Sequence, residues 1–124
     1  MTDSAAAPPP KSAALLSFER MLASGKDSAL LRFSIGNEYA KSGEWTNAVE
    51  ALFRAVEMDP QFTAAWKIYA RALQETGRPR EALAAYRTGI EVAGRKGDRQ
   101  AEKEMTVFMK RLEKAAPAPG KGSR

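Results

Sequence analysis

Apolar residues recur at helical spacing along almost the whole chain, and no segment sustains the period-two alternation that marks a strand. The pattern is interrupted at regular points: Ser42 and Gly43, Asp59 and Pro60, Thr76 and Gly77, and the run GRKGD at 94–98. Glycine closes a helix by turning left-handed, and proline stops one because it has no N–H to donate. The stretches between these breaks predict helices at 12–23, 28–41, 45–57, 62–75, 79–93 and 98–114. Turns this short join antiparallel neighbours, so the fold class is all-α and built of helix hairpins.

The punctuation repeats. Shifting the chain by 34 residues lays Gly43 on Gly77, Ala48 on Ala82, Ala51 on Ala85 and Glu57 on Glu91. Gly36 then meets Ala70, and Ala55 meets Gly89, so small residues keep their places even where identity is lost. Bulky positions correspond too: Ile35 with Tyr69, Tyr39 with Leu73, Val49 with Leu83, Leu52 with Tyr86, and Val56 with Ile90. Small residues on facing helices let two backbones approach, since ridges need shallow grooves to pack into. Gly36 and Ala70 are accordingly expected to face Ala48 and Ala82, with Tyr39, Leu52, Leu73 and Tyr86 filling the space beside them.

This spacing resembles the tetratricopeptide repeat, a helix hairpin with small and large residues at set points. One unit runs over 29–62 through Gly36, Tyr39, Ala48, Leu52, Ala55 and Pro60; a second runs over 63–96 through Trp66, Ala70, Leu73, Ala82, Tyr86 and Gly89. Arg32 stands where that family usually has Trp, which leaves room for the preceding helix to pack differently. Gly94 stands where it usually has Pro, which permits a longer turn. The resemblance implies an alpha-alpha superhelix. Two hairpins are too few to bury their own faces, so helices 12–23 and 98–114 are expected to cap the stack. The first would use Leu15, Leu16, Phe18, Met21 and Leu22, and the second Ala101, Met105, Phe108 and Leu112. The single domain spans 12–115. The Ala/Pro-rich residues 1–11 and the run APAPGKGSR at 116–124 read as disordered tails.

By the same resemblance the first helix of each hairpin lines a concave groove that holds a peptide or helix of a partner protein. The groove residues it implies are Phe33, Ser34, Asn37 and Lys41, then Lys67, Ile68, Arg71, Gln74 and Glu75, with Arg99, Glu102, Lys103 and Thr106 added by the last helix. Charge is uneven along the chain. Residues 1–62 hold 6 Lys/Arg against 8 Asp/Glu, a net −2, and residues 63–124 hold 14 against 7, a net +7. A basic half suits an acidic peptide; it also serves simply as a solvated face. A relative of the family that clamps C-terminal carboxylates needs polar residues where this chain has Phe33 and Ile68, so that ligand is not expected.

Composition removes most other chemistry. The chain has no Cys and no His, and therefore no thiolate nucleophile, no disulfide and no imidazole base or metal ligand. Neither GxxxxGK[ST] nor GxSxG occurs, nor does a calcium loop, so no enzyme activity, metal or cofactor is expected. Trp45 and Trp66 read as packing residues. Nucleic acid is a disfavoured partner: Arg95, Lys96, Arg99 and Lys103 cluster, but Asp98, Glu102 and Glu104 dilute them and no aromatic platform interleaves. Self-association through Phe108 and Met109 is the other alternative, making the chain a monomer or weak homodimer. No run approaches the roughly 20 apolar residues of a membrane span, no secretory signal pattern opens the chain, and the expected compartment is the cytosol.

Overall fold

The structure, a computed structural model, describes residue 7 and residues 9–115. Six helices follow one another: α1 (Ala13–Ala23), α2 (Ala29–Lys41), α3 (Trp45–Met58), α4 (Thr63–Glu75), α5 (Pro79–Lys96) and α6 (Arg99–Ala115). Of the tail expected over 1–11, residues 1–6 and 8 lie outside the described residues, as does all of 116–124; Pro9–Ser12 have no regular secondary structure.

Helix ends are set by a recurring device. Gly25, Gly43, Gly77 and Gly97 each adopt a positive φ between 75° and 91°. The N–H of the next residue then folds back five positions: Lys26 to Met21, Glu44 to Tyr39, Arg78 to Leu73 and Asp98 to Ala93, at 2.8–3.1 Å. This is the closure in which a left-handed residue satisfies carbonyls that the last helical turn would otherwise orphan. Helix starts are capped where a short polar side chain is available. The hydroxyls of Ser12 and Ser28 accept from Leu15 and Leu31 N–H, and the Asp98 carboxylate accepts from Ala101 N–H.

One expected boundary moves. The fifth helix runs to Lys96 rather than ending at 93, and Gly94 stays helical instead of opening a longer turn. Only Gly97 in that run adopts the left-handed conformation. Gly94 serves packing instead: a Cβ built there would stand 3.3 Å from the Glu102 carboxylate of α6.

The helices stack as a succession of hairpins, α2 with α3 and α4 with α5, while α6 packs on α5 and α4. The first helices touch in sequence, α2 with α4 and α4 with α6, whereas α3 and α5 do not touch. Contact on one side only makes the stack bend toward α2, α4 and α6, which form its inner face.

Small residues sit at the closest approaches. Ala48, Ala55, Ala70 and Ala82 are fully buried. The expected facing of Gly36 on Ala48 is displaced by one turn: a Cβ on Gly36 would fall 2.5 Å from Leu52 Cγ, so the glycine receives the branched end of that leucine. Gly89 is equally tight, with Met105 Sδ 2.6 Å and Trp66 Cβ 2.9 Å from the place its Cβ would take. Tyr86, Leu52 and Leu73 fill the core as expected, and Ala101, Met105 and Leu112 of α6 are buried. On α1 only Leu15 is fully buried; Leu16 and Met21 are exposed, because α1 packs on α2 alone and needs a narrower stripe.

Two outcomes follow for stability. Ala82→Leu is expected to overpack the α4–α5 contact and lower the unfolding free energy by about 1–3 kcal/mol, read from the denaturant midpoint at unchanged m-value. A chain ending at Gly97 leaves Tyr86, Gly89 and Val92 without the side chains of α6. Its circular dichroism melt is expected to lose the single cooperative transition of the full chain.

Candidate partner-binding groove

The inner face carries a cleft of about 380 Å³. Three first helices build it, and the α3 entry supplies a wall: Asn37, Ala40 and Lys41 come from α2, Trp45 from α3, Lys67, Ile68 and Arg71 from α4, and Glu104 and Phe108 from α6. A second cleft of about 250 Å³ continues it, sharing Arg71 and Phe108 and adding Gln74, Glu75 and Arg111. Asn37, Lys41, Lys67, Ile68, Arg71, Gln74 and Glu75 of the expected set thus lie along one trough.

The remaining residues of that set lie elsewhere. Phe33 is half-buried, with its ring 4.8 Å from that of Phe62, where it packs against the connector between the hairpins. The Ser34 hydroxyl donates to the Leu30 carbonyl of its own helix. Arg99 and Lys103 are exposed and do not line either cleft, Thr106 donates to the Glu102 carbonyl within α6, and Glu102 lies over Gly94 on the α5 side. Glu104, Phe108 and Arg111 take their place. They occupy one flank of the buried stripe Ala101, Met105 and Leu112, and the sequence identifies that stripe without saying which flank meets the groove. Trp45 packs on the core as expected, and its ring also borders the cleft.

Electrostatics also differ from the expected basic bias. Lys67 Nζ reaches Glu104 at 2.8 Å, joining α4 to α6 across the trough. Arg71 pairs with Glu75 at 2.8 Å and lays its guanidinium 5.2 Å from the Trp45 ring centroid, a cation–π placement. Lys41 pairs with Glu38 at 2.9 Å. Each cation lining the cleft therefore has a partner, and the surface left over is Ala40, Trp45, Ile68 and Phe108. The Lys67 ammonium, with help from Gln100, holds the Glu104 carboxyl below the ordinary value of 4.5. Behind the groove, burial pushes the Tyr86 phenol up to about 12, and its O–H donates to Gln74 Oε1 at 3.1 Å, which steadies Gln74 from beneath.

Where Arg32 replaces the usual Trp, the outer side opens. Its guanidinium makes two hydrogen bonds to Asp27 at 2.8 and 2.9 Å, and a cleft of about 320 Å³ lies between α1, α2 and α3 over Leu22, Ile35 and Ala51. Trp66, at the same place one repeat later, donates to the Pro60 carbonyl at 2.8 Å and packs 6.0 Å from Tyr69. Phe108 and Met109, the residues expected to mediate self-association, pack on the largest core cluster of their own chain, Phe108 beside Tyr86 at 6.3 Å.

Comparison with known proteins agrees with this geometry. A family model described as tetratricopeptide repeat matches residues 33–98. The chain belongs to the tetratricopeptide repeat family. It is 46% identical over 97 residues to a TPR repeat-containing protein of Pseudomonas aeruginosa, covering 78% of this chain and 92% of that one. A protein of Bordetella parapertussis solved in solution superposes with a TM-score of 0.74 at 36% identity, over 84% of this chain and 90% of that one. A tetratricopeptide repeat domain protein of Salinibacter ruber shares the fold at 21% identity, with a TM-score of 0.67 over 74% and 93% of the two chains. Among the described residues no group of His, Cys, Asp or Glu is placed to hold a metal ion, and no helix is long and apolar enough to cross a membrane.

The Lys67–Glu104 bridge makes a pH-dependent prediction. A carboxyl whose folded pKa is depressed contributes stability above its unfolded value and loses it as pH falls through the folded value. Glu104→Gln is therefore expected to lower the melting temperature slightly at neutral pH. That difference should vanish as the wild type is titrated below 4.5 toward the lower folded value.

Proposed function

We propose that this tetratricopeptide repeat protein is a non-catalytic scaffold that holds a peptide or helix of a partner protein in the trough between α2, α4 and α6. The observation that carries this reading is the pairing of an apolar floor, Trp45, Ile68 and Phe108, with polar groups whose positions are already set by ion pairs. Apolar side chains in a bound segment would gain burial on that floor, at roughly 25 cal/mol per Å² of apolar surface removed from water. Its polar backbone would meet Asn37 and Gln74. An acidic partner is the finer form of the proposal. A carboxylate entering the trough exchanges with Glu104 at Lys67 or with Glu75 at Arg71, so acidity tunes specificity more than affinity.

Capture from native lysate tests the reading. The wild type is expected to retain a specific partner that is lost with Phe108→Glu, and weakened with Lys67→Glu combined with Arg71→Glu. Equal recovery of that partner by all three proteins, each with an unchanged melting curve, would place the contact outside the trough.

A further inference from the structure

The last helix sorts its charges by direction. Three acids at or near it are engaged within the stack: Asp98 caps the helix, Glu104 pairs with Lys67 of α4, and Glu113 pairs with Arg87 of α5 at 3.5 Å, while Glu102 leans toward Gly94 of α5. The cations Arg99, Lys103, Lys110 and Lys114 are exposed, and none of their side chains makes an ion pair or hydrogen bond with another described residue. At about 3.6 residues per turn these four fall within an arc of about 60°, opposite the buried Ala101, Met105 and Leu112, and at about 1.5 Å per residue the row is about 22 Å long. Val107, 47% exposed, lies along its edge. Acids flank this row, at Glu102 and Glu113, but do not interrupt it.

Among the described residues α6 also lacks what α2 and α4 have, a second helix packed behind it. A row of four cations is a poor seat for an apolar helix, because burying unpaired ammonium groups costs more than the contact returns. The occupant must bring negative charge.

We propose that the outer face of α6 is a docking surface for an acidic segment of a partner protein, one that presents carboxylates every three to four residues against Arg99, Lys103, Lys110 and Lys114. This site is separate from the concave trough and does not depend on it. The width of the row selects a protein segment over nucleic acid. A helix is about 10–12 Å across and fits above a single row of cations. A duplex is broader and would bring its phosphates over Glu113 and Glu102, which border the row, and over the exposed Glu91 of α5. Val107, at the edge of the row, offers such a segment one apolar contact.

The test uses the full chain and poly-L-glutamate as the probe, followed by amide chemical shifts at low salt. Shifts are expected to run along Arg99, Lys103, Val107, Lys110 and Lys114. Lys103→Glu combined with Lys110→Glu is expected to bind about tenfold more weakly, at the strength usual for exposed ion pairs, with an unchanged melting curve. The neutral pair Lys103→Gln and Lys110→Gln should weaken binding less than the reversed pair, and Arg80→Glu, at the exposed start of α5, should leave it unaltered. The proposal is overturned if the shifts centre on Lys41, Lys67 and Arg71, or if the reversed pair binds as tightly as the wild type. It is equally overturned if duplex DNA of matched total charge binds the same row more tightly than poly-L-glutamate.

Discussion

Two helices can approach only as closely as the side chains between them allow, and in this chain that limit is set where a Cβ is missing or stands alone. Gly36 accepts the end of Leu52, and Gly89 accepts Met105 and Trp66, at separations where an added Cβ would force those side chains to shift. The buried alanines Ala48, Ala70 and Ala82 extend the same closeness along each hairpin. Because these contacts recur one repeat apart, each hairpin meets the next in the same way, and first helices touch while second helices do not. The curve of the stack, and hence the trough on its inner side, is a consequence of that asymmetry. Interiors packed to crystalline density transmit such constraints, since there is no free volume to absorb an added methyl group.

The fold was legible because its signals are local and repeated. Glycines that close helices, residues that cap them and small positions spaced 34 apart all lie within a hairpin's length of what they contact. Gly43 and Gly77 have φ values of 76° and 77°, so the alignment of punctuation was an alignment of conformation. The misreading at 94–98 has a local cause as well. Two glycines there could each end α5, and the left-handed turn falls at Gly97, where the Asp98 N–H closes back on the Ala93 carbonyl.

The trough was less legible because it is assembled by helices far apart in sequence. Asn37, Lys41, Lys67, Ile68 and Arg71 could be placed from the repeat, since α2 and α4 share a register. α6 belongs to no complete repeat. Its buried stripe could be read from the spacing of Ala101, Met105 and Leu112, but a stripe has two flanks, and the choice between them is made by packing on α5. Glu104, Phe108 and Arg111 rather than Arg99 and Lys103 therefore face the trough. Trp45 was hidden for a different reason. A tryptophan at a helix start is as well explained by packing as by recognition, and only the guanidinium of Arg71 beside it, with Ile68 across from it, gives the ring a second role.

Net charge summed over half a chain says little about where potential will be felt. The excess of +7 over residues 63–124 suggests a basic groove, yet Lys41, Lys67 and Arg71 are each matched by a carboxylate within about 4 Å, close enough that their fields largely cancel in water, and Arg111 at the end of the trough is the lining cation without an ion pair among the described residues. Recognition there has to come from shape and apolar contact, with charge acting through exchange of one carboxylate for another. Part of the unmatched excess is carried on the far side of α6 by Arg99, Lys103, Lys110 and Lys114. A helix at the end of a stack has one face free of packing obligations. Unpaired like charges on that face disfavour an apolar helix, which cannot cover them without desolvating each one. An acidic segment meets no such penalty, because it neutralises four cations that nothing within the described chain neutralises.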